Sequence, residues 1–285
     1  MKLSNLFILI ASLFLGSALN AQTIFCDDPN YMRGRIKRAL PETMDTAKWE
    51  MVYAHVMKDS IMKKDKTDFE MLTIGEKFYW YGGYGDFQMD SIQRVDPERY
   101  ANLSFNEAIK LRQEYEPITV NMLISLEDNK LNYYGKIYIN DYRYEEPIPE
   151  FKWRLEAETR EVMGYECFKA TTNWRGREWT AWYCDIPVSA GPWKFNGLPG
   201  LILRLEDASG SHLFEAIEIK NDIYPFGYKK NAYCKTTREK YNEGLQDYKE
   251  NAGKIYADSG MVKLTAEEAE KMRKKRQFFC PIELE

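Results

Sequence analysis

The sequence predicts an α+β fold dominated by an antiparallel β-meander, curled into a half-barrel or barrel with helices at its edge. Three observations lead there. Strand-like runs recur through the middle of the chain and are separated by turn residues at hairpin spacing. Aromatic residues, which favour strands, are abundant at 20 Tyr, 14 Phe and 7 Trp in 285 residues. Capping pairs and helical charge order appear mainly at the flanks of the strand-rich stretch. No repeat, low-complexity tract or Pro/Gly/Ser linker divides the chain. A single domain over 22–285 is therefore expected, with its sheet core at about 47–220 and a helical region at 236–278.

Residues 1–21 have the form of a signal peptide. Lys2 supplies the positive start, Leu6 to Leu15 a ten-residue apolar run, and Ser17 to Ala21 a small-to-polar stretch suited to cleavage after Ala21. The run is shorter than the roughly 20 residues a spanning helix needs. Phe25 before Cys26 is too bulky for a lipobox. No later segment is apolar enough to span, so export to the periplasm, the cell envelope or the medium is expected, with no transmembrane span after signal removal.

Apolar residues make up 44% and charged residues 29%, which excludes a disordered or collagen-like chain. The formal charge is −4, and losing Lys2 with the leader makes it −5. An acidic chain lacks the basic footprint of a nucleic-acid binder. The one basic run, Arg273 to Arg276, falls at the end of a predicted helix, where cations complement the dipole.

The strands follow in order. Lys48 to Lys58 alternates and sets Trp49, Met51, Tyr53, His55 and Met57 on one face. Phe69 to Ile74 and Lys77 to Tyr81 are two short strands. Pro117 to Glu127 and Lys130 to Asn140 flank Asp128-Asn129, a pair that tolerates the left-handed conformations of a two-residue hairpin. Phe151 to Glu156 alternates. Tyr165 to Trp174 and Arg177 to Asp185 flank Arg175-Gly176, and Gly200 to Glu206 and His212 to Lys220 flank a five-residue loop. Three capping boxes predict helices: Ser104 with Glu107, Thr236 with Glu239, and Thr265 with Glu268.

The chain has 5 Cys, an odd number for an exported protein. A two-residue turn at Arg175-Gly176 sets Trp174 opposite Arg177, and hence Cys167 opposite Cys184 in a non-hydrogen-bonded pair. Cα atoms of such pairs approach to about 4.5 Å, within reach of a disulfide. A Cys167–Cys184 bond is therefore expected, although Glu166 facing Asp185 argues that the ladder ends there. Cys234 with Cys280 is a weaker second pairing, which leaves Cys26 over.

The run Gly191-Pro192-Trp193-Lys194-Phe195-Asn196-Gly197-Leu198-Pro199-Gly200-Leu201-Ile202 combines turn and strand signals. Pro192 and Pro199 fix φ, and Leu201, Leu203 and Leu205 alternate as a strand begins. The run makes either a buried corner plugged by Trp193, Phe195 and Leu198, or the rim of a binding site at the mouth of a curved sheet. In the second case Trp182, Trp193, Phe195 and Leu198 are the candidate binding residues.

Together with Trp153, Gly164 to Ala170, Arg175-Gly176-Arg177, Ala181-Trp182-Tyr183, Ile186-Pro187 and Pro281-Ile282-Glu283, this run resembles the GLPGLI family of exported bacterial proteins. The motif is Gly197, Leu198, Pro199, Gly200, Leu201 and Ile202. The resemblance is dense over 153–220, thinner over 47–140, and returns at the tail. It implies secretion, and no activity, cofactor or catalytic residue comes with it.

An active site is hard to find by residue type. The 2 His, His55 and His212, lie far apart with no neighbouring ligands, so no metal site is expected. His55 belongs to a packed strand face, and His212, opening a strand after a turn, is expected to be solvated. A nucleophilic arrangement could draw on Cys234 or Ser189, His212 and Asp185, but nothing selects them. No catalytic residue and no cofactor are assigned. The expected function is a non-enzymatic envelope protein that binds an apolar ligand or an envelope protein on an aromatic-lined sheet face. The alternatives are a carboxylate-dependent hydrolase of glycans or peptides, and a purely structural envelope component.

Overall fold

The computed structural model describes residues 41–96, 98, 120–229, 232–259 and 264–285. The expected signal peptide, Cys26 and the Ser104–Glu107 box lie outside the described residues.

The strands are β1 (Pro41–Thr46), β2 (Trp49–Asp59), β3 (Lys64–Ile74), β4 (Phe78–Gly83), β5 (Asn121–Ser125), β6 (Lys130–Ile137) and β7 (Asn140–Pro147). They continue with β8 (Arg154–Val162), β9 (Tyr165–Trp174), β10 (Arg177–Tyr183), β11 (Ile202–Asp207), β12 (His212–Lys220), β13 (Pro225–Lys229) and β14 (Cys234–Lys235). The helices are α1 (Tyr84–Val95), α2 (Arg238–Asp258) and α3 (Ala266–Arg273). The chain groups into two compact units. The larger comprises Leu40–Tyr134, Glu145–Lys230 and Cys280–Glu285, and the smaller includes Gly135–Tyr144 and Asn231–Phe279.

In the larger unit the strands lie in the order β6-β5-β4-β3-β2-β12-β11-β10-β9-β8. Each neighbouring pair for which a register is resolved is antiparallel. This differs from one continuous meander. Two meanders, β2 to β6 and β8 to β12, are joined by β2 pairing with β12, where His212 faces Met57 and Phe214 faces His55. The order is linear and no pairing joins its ends among the described residues, so the expected barrel does not close. β1 pairs with β13 in a separate two-stranded sheet.

Register explains the face assignments. Ala170, Ala181, Leu205, Phe214, His55 and Asp68 are successive cross-strand partners from β9 to β3. They therefore share one face, and all are buried. The β9–β10 turn has the predicted form. Arg175 and Gly176 adopt φ of 49° and 74°, and Trp174 pairs with Arg177. The β5–β6 turn is longer than predicted, with Ser125 opposite Lys130. Ser125 Oγ donates to Asp128 Oδ2 at 2.9 Å and draws two more residues into the loop.

The expected Cys167–Cys184 disulfide is not formed: both are free, buried thiols. The register is the predicted one through Phe168 opposite Tyr183, but the ladder stops there. A register shift toward β11 follows Trp182, and the Cys184 N–H donates to Leu201 O at 2.9 Å. The end of β10 thus follows β11, and the Cys167 thiol donates to Tyr165 O. The Cys234–Cys280 pairing is not formed either, since Cys280 is a free thiol.

In the smaller unit, β14 runs parallel to β7, with Cys234 beside Tyr142. The α2 residue Tyr241 packs on Tyr142 and Tyr144 at 6.0 and 5.9 Å. The N-cap of α2 is Thr237, whose hydroxyl accepts from Lys240 N, rather than Thr236. The capping box at Thr265 and Glu268 is present as predicted. Five elements carry no clear signal in the sequence: β1, β7, β13, β14 and α1. Among the described residues, no helix is long and apolar enough to cross a membrane.

Candidate functional site

The segment between β10 and β11 is the corner predicted from Gly191 to Ile202. Pro192 O accepts from Phe195 N, the Gly197 N–H donates to Ser189 Oγ at 2.8 Å, and Ile202 N–H donates to Ala190 O at 2.9 Å. Gly200 passes so close to the Cys184 carbonyl that a Cβ there would overlap it, which explains glycine at this position. Phe195 is the plug. It lies 4.8 Å from the Trp179 ring, 4.9 Å from Phe151 and 5.1 Å from Trp174, and is buried with Leu198. Trp153 Nε1 donates to Asn196 O at 2.7 Å and closes one side of the corner.

Lys194 is the unusual member. Its side chain is fully buried, yet it carries an ammonium group. Two carboxylates meet it: Glu146 Oε1 at 2.5 Å and Glu283 Oε1 at 2.7 Å. The rings of Tyr133 and Trp193 present their faces to the same Nζ at 5.5 and 5.6 Å. Trp193, held at φ 57°, donates its indole N–H to Glu283 Oε1 at 3.0 Å. Arg175 reaches both carboxylates, Glu146 at 3.4 Å and Glu283 at 3.7 Å.

The carboxy-terminal tail is thus locked to the β9–β10 hairpin and the corner. Arg177 completes the clamp, with Nε donating to Ile282 O at 3.1 Å, Nη2 to Pro281 O at 2.7 Å and Nη1 to Asp207 Oδ2 at 2.8 Å. Arg175, Arg177, Trp193 and Pro281 to Glu283, scattered in the sequence motif, converge here. Their pairing gives the motif's discontinuous pattern a physical cause.

Beneath the tail lies a second cluster that residue spacing hid. Glu70, His55 and His212 sit at diagonal positions on β3, β2 and β12, where long side chains on one face can meet. Glu70 Oε1 lies 2.8 Å from His55 Nδ1, and His55 Nε2 lies 3.0 Å from His212 Nδ1. His212 Nε2 is 3.1 Å from Pro281 O and 3.4 Å from Cys280 Sγ. Phe214 stacks on His55 with centroids 3.7 Å apart. His212 is therefore buried, contrary to the solvated position expected after a turn, because the tail covers it.

The polarity of this chain follows from its end. Pro281 O can only accept, so a bond to it puts the proton on His212 Nε2. His212 Nδ1 then accepts from His55 Nε2–H, and His55 Nδ1 must accept from a protonated Glu70. Electrostatics agree. Burial holds Glu70 protonated up to about 8 and pushes both imidazoles down to about 3. The Glu70–His55 contact is a bond between neutral groups rather than an ion pair. Among the described residues, Glu70 Oε2 and the Trp179 indole nitrogen are buried without a hydrogen-bond partner.

The predicted binding residues fall in different places. Phe195 and Leu198 fill the core, and Trp193 belongs to the ion cluster. Trp182 is buried on the opposite face of β10 from Trp179, between Arg160 and Lys169 at 5.3 and 6.0 Å. Of the residues from which a nucleophilic arrangement could be drawn, Cys234 or Ser189 with His212 and Asp185, Ser189 Oγ accepts from Gly197, and the thiol beside His212 belongs to Cys280. Among the described residues, no group of three His, Cys, Asp or Glu side chains is arranged to hold a metal ion. A signal for the imidazole cluster existed in the alternation of β2, but the β2–β12 pairing that completes it is not local.

No curated protein matches the chain. Two crystal structures of PNGF-II, in the C2 and P21 space groups, are similar with a TM-score of 0.46 and 14% identity, over 72% of this chain and 34% of that one. The chain thus spans about a third of their length. A family model described as a protein of unknown function (Porph_ging), the GLPGLI-type family, matches residues 174–204, the stretch from the β9–β10 turn through the corner into β11.

Proposed function

We propose that this is an exported, non-enzymatic protein of the cell envelope that binds a protein partner through the β8–β9 hairpin. The observation that carries this reading is apolar exposure on that hairpin. Leu155 is 58% exposed, Met163 43% and Phe168 37%. β8 is the last strand in the order of the larger unit, so its outer edge has no neighbour in the described sheet. Arg154, Glu156, Glu158 and Arg160 along it oppose indiscriminate edge pairing while leaving room for a partner of matched charge. Export rests on residues 1–21.

The other readings draw less support. An apolar small molecule would have to displace Phe195 and Leu198 from the corner. For a carboxylate-dependent hydrolase, the facing pair Glu146 and Glu283 is already committed to Lys194. A photo-crosslinking residue at position 163, irradiated in intact envelopes, tests the proposal. A defined protein adduct is expected, and it should vanish in the Leu155→Glu/Phe168→Glu variant. No adduct, or one indifferent to those changes, would remove the reading.

A further inference from the structure

We propose that Cys280 is a nucleophilic thiol whose proton is withdrawn through His212 and His55 to Glu70, so that it reacts with electrophilic carbon centres. The inference is independent of partner binding by the β8–β9 hairpin. It rests on a continuous chain of contacts: Cys280 Sγ to His212 at 3.4 Å, His212 to His55 at 3.0 Å and His55 to Glu70 at 2.8 Å. Both ends suit the role. Cys280 is partly exposed, while Cys167 and Cys184 are buried. Glu70 is buried with Oε2 unpartnered, and the unpartnered indole nitrogen of Trp179 belongs to a ring 6.0 Å from His212.

The chain can be drawn in two polarities. In one, Glu70 is protonated and His212 Nε2–H donates to Pro281 O. In the other, Glu70 is a carboxylate, each imidazole carries its proton on Nδ1, and His212 Nε2 is free to accept from the Cys280 thiol. The first is the resting form, and the second is reached when Glu70 gives up its proton as pH rises through about 8. From the second, the thiol proton passes to His212 Nε2, the His212 Nδ1 proton to His55 Nε2, and the His55 Nδ1 proton to Glu70. The products are a thiolate and a neutral carboxylic acid, and the imidazolium that burial disfavours is never required. The sulfur lone pair then forms the S–C bond, and the leaving group departs with its electron pair.

The surroundings bear on both ends. At the sulfur, burial pushes the Cys280 thiol above its ordinary value with help from Asp207 and Asp59, and Arg177 and the Lys58 backbone N–H offset this only in part, so the thiolate depends on the relay. The thiol can alternatively donate to Ser211 O at 3.8 Å. At the acid, Lys66 favours the carboxylate, and neighbouring Asp68 is held by the same lysine at 2.9 Å.

Iodoacetamide is the probe, with S-alkylation releasing iodide and sites mapped by mass spectrometry on the native full-length protein. Cys280 is expected to alkylate while Cys167 and Cys184 stay unmodified until urea is added. Glu70→Gln locks the relay, since its amide N–H can donate to His55 Nδ1 but cannot take up a proton. Its Cys280 rate is expected to fall about tenfold or more, with the onset of reactivity moved to higher pH. His55→Gln breaks the relay at a different link and gives the same result if Glu70→Gln fails to fold. An unchanged rate and pH profile in a folded variant would overturn the proposal. So would a wild-type Cys280 that alkylates only in urea.

Discussion

The two meanders of the larger unit treat their shared inner face differently. In the β8 to β12 half, Trp179, Ala181, Leu203 and Leu205 are buried with Phe195, a residue from the same half. The face is mostly apolar and the chain between β10 and β11 supplies its plug. In the β2 to β6 half, the same face carries Tyr53, His55, Asp68, Glu70 and Tyr81, all buried. Glu70 Oε2 and the Tyr81 hydroxyl there lack hydrogen-bond partners among the described residues. The first half is organised by packing, and the second adds to its apolar members, Met51, Leu72 and Met122, a polar network that crosses into β12 at His212. Buried polar groups cost more to leave unmatched than apolar groups cost to repack. The two halves should therefore answer different perturbations.

The largest expected effect is on the ion cluster that fixes the corner. Lys194→Met removes the cation and leaves Glu146 and Glu283 together in the interior. The expected loss is about 3–5 kcal/mol, the usual result of breaking a buried ion pair from one side. Urea unfolding reads it, and adding Glu146→Gln and Glu283→Gln should recover much of the loss. A near-neutral Lys194→Met would show that the tail does not depend on this pairing.

The contrast also explains what the sequence made legible. Hairpins closed by short turns were readable: Arg175-Gly176 fixed the register of β9 and β10, and the buried alternation of β2 followed from residue spacing. The corner was recognisable because Gly and Pro must occupy its bends. Pairings between distant segments left no such mark. The β2–β12 contact, which turns one meander into two and brings His55 to His212, depends on side chains 157 residues apart. Nothing in its own segment marks Lys194, because both its carboxylate partners lie elsewhere in the chain. The missing disulfide has a similar cause. Local register was right, but the far end of β10 answers to β11.

The polar half should show itself through pH. Glu70 keeps its proton up to about 8 in the folded protein, against an ordinary 4.5. Its contribution is full below 4.5 and is lost as pH rises through about 8. His55 and His212 are pushed from 6.5 to about 3, so their contribution is full above 6.5 and lost as pH falls through about 3. Between 4.5 and 6.5 the two imidazoles outweigh the one acid. The cluster's contribution therefore peaks near pH 6.5 and declines toward 8. Urea midpoints across this range should show that decline, and Glu70→Gln should abolish it. A decline that persists unchanged in the variant would place its origin elsewhere.

A smaller effect separates the tail from the sheet that holds it. Arg177→Lys keeps the charge but loses the fork that serves Pro281 O, Ile282 O and Asp207 together. The expected cost is about 1–3 kcal/mol, the range for hydrogen bonds to a charged group. Hydrogen exchange should localise it. The Leu284 amide, bonded to Arg175 O, should exchange faster, while amides of β3 and β4 stay protected. Uniform loss of protection would mean that the clamp supports the whole unit.

The turns give the smallest and most local comparison. Gly176 has φ of 74°, and its Cβ position lies 3.0 Å from Leu284 Cβ. Gly176→Ala should cost about 1–2 kcal/mol from the left-handed backbone alone. In the other meander, Asn129 already occupies that region at φ 50° with a side chain that tolerates it. Asn129→Gly relieves residual crowding but frees the unfolded chain, so the net change should stay within about 0.5 kcal/mol. Thermal unfolding of the two variants side by side checks both. Comparable losses would mean that the longer β5–β6 loop constrains its half as tightly as the two-residue turn does. The expected inequality would instead trace the predictability of β9 and β10 to a turn with little freedom to be anything else.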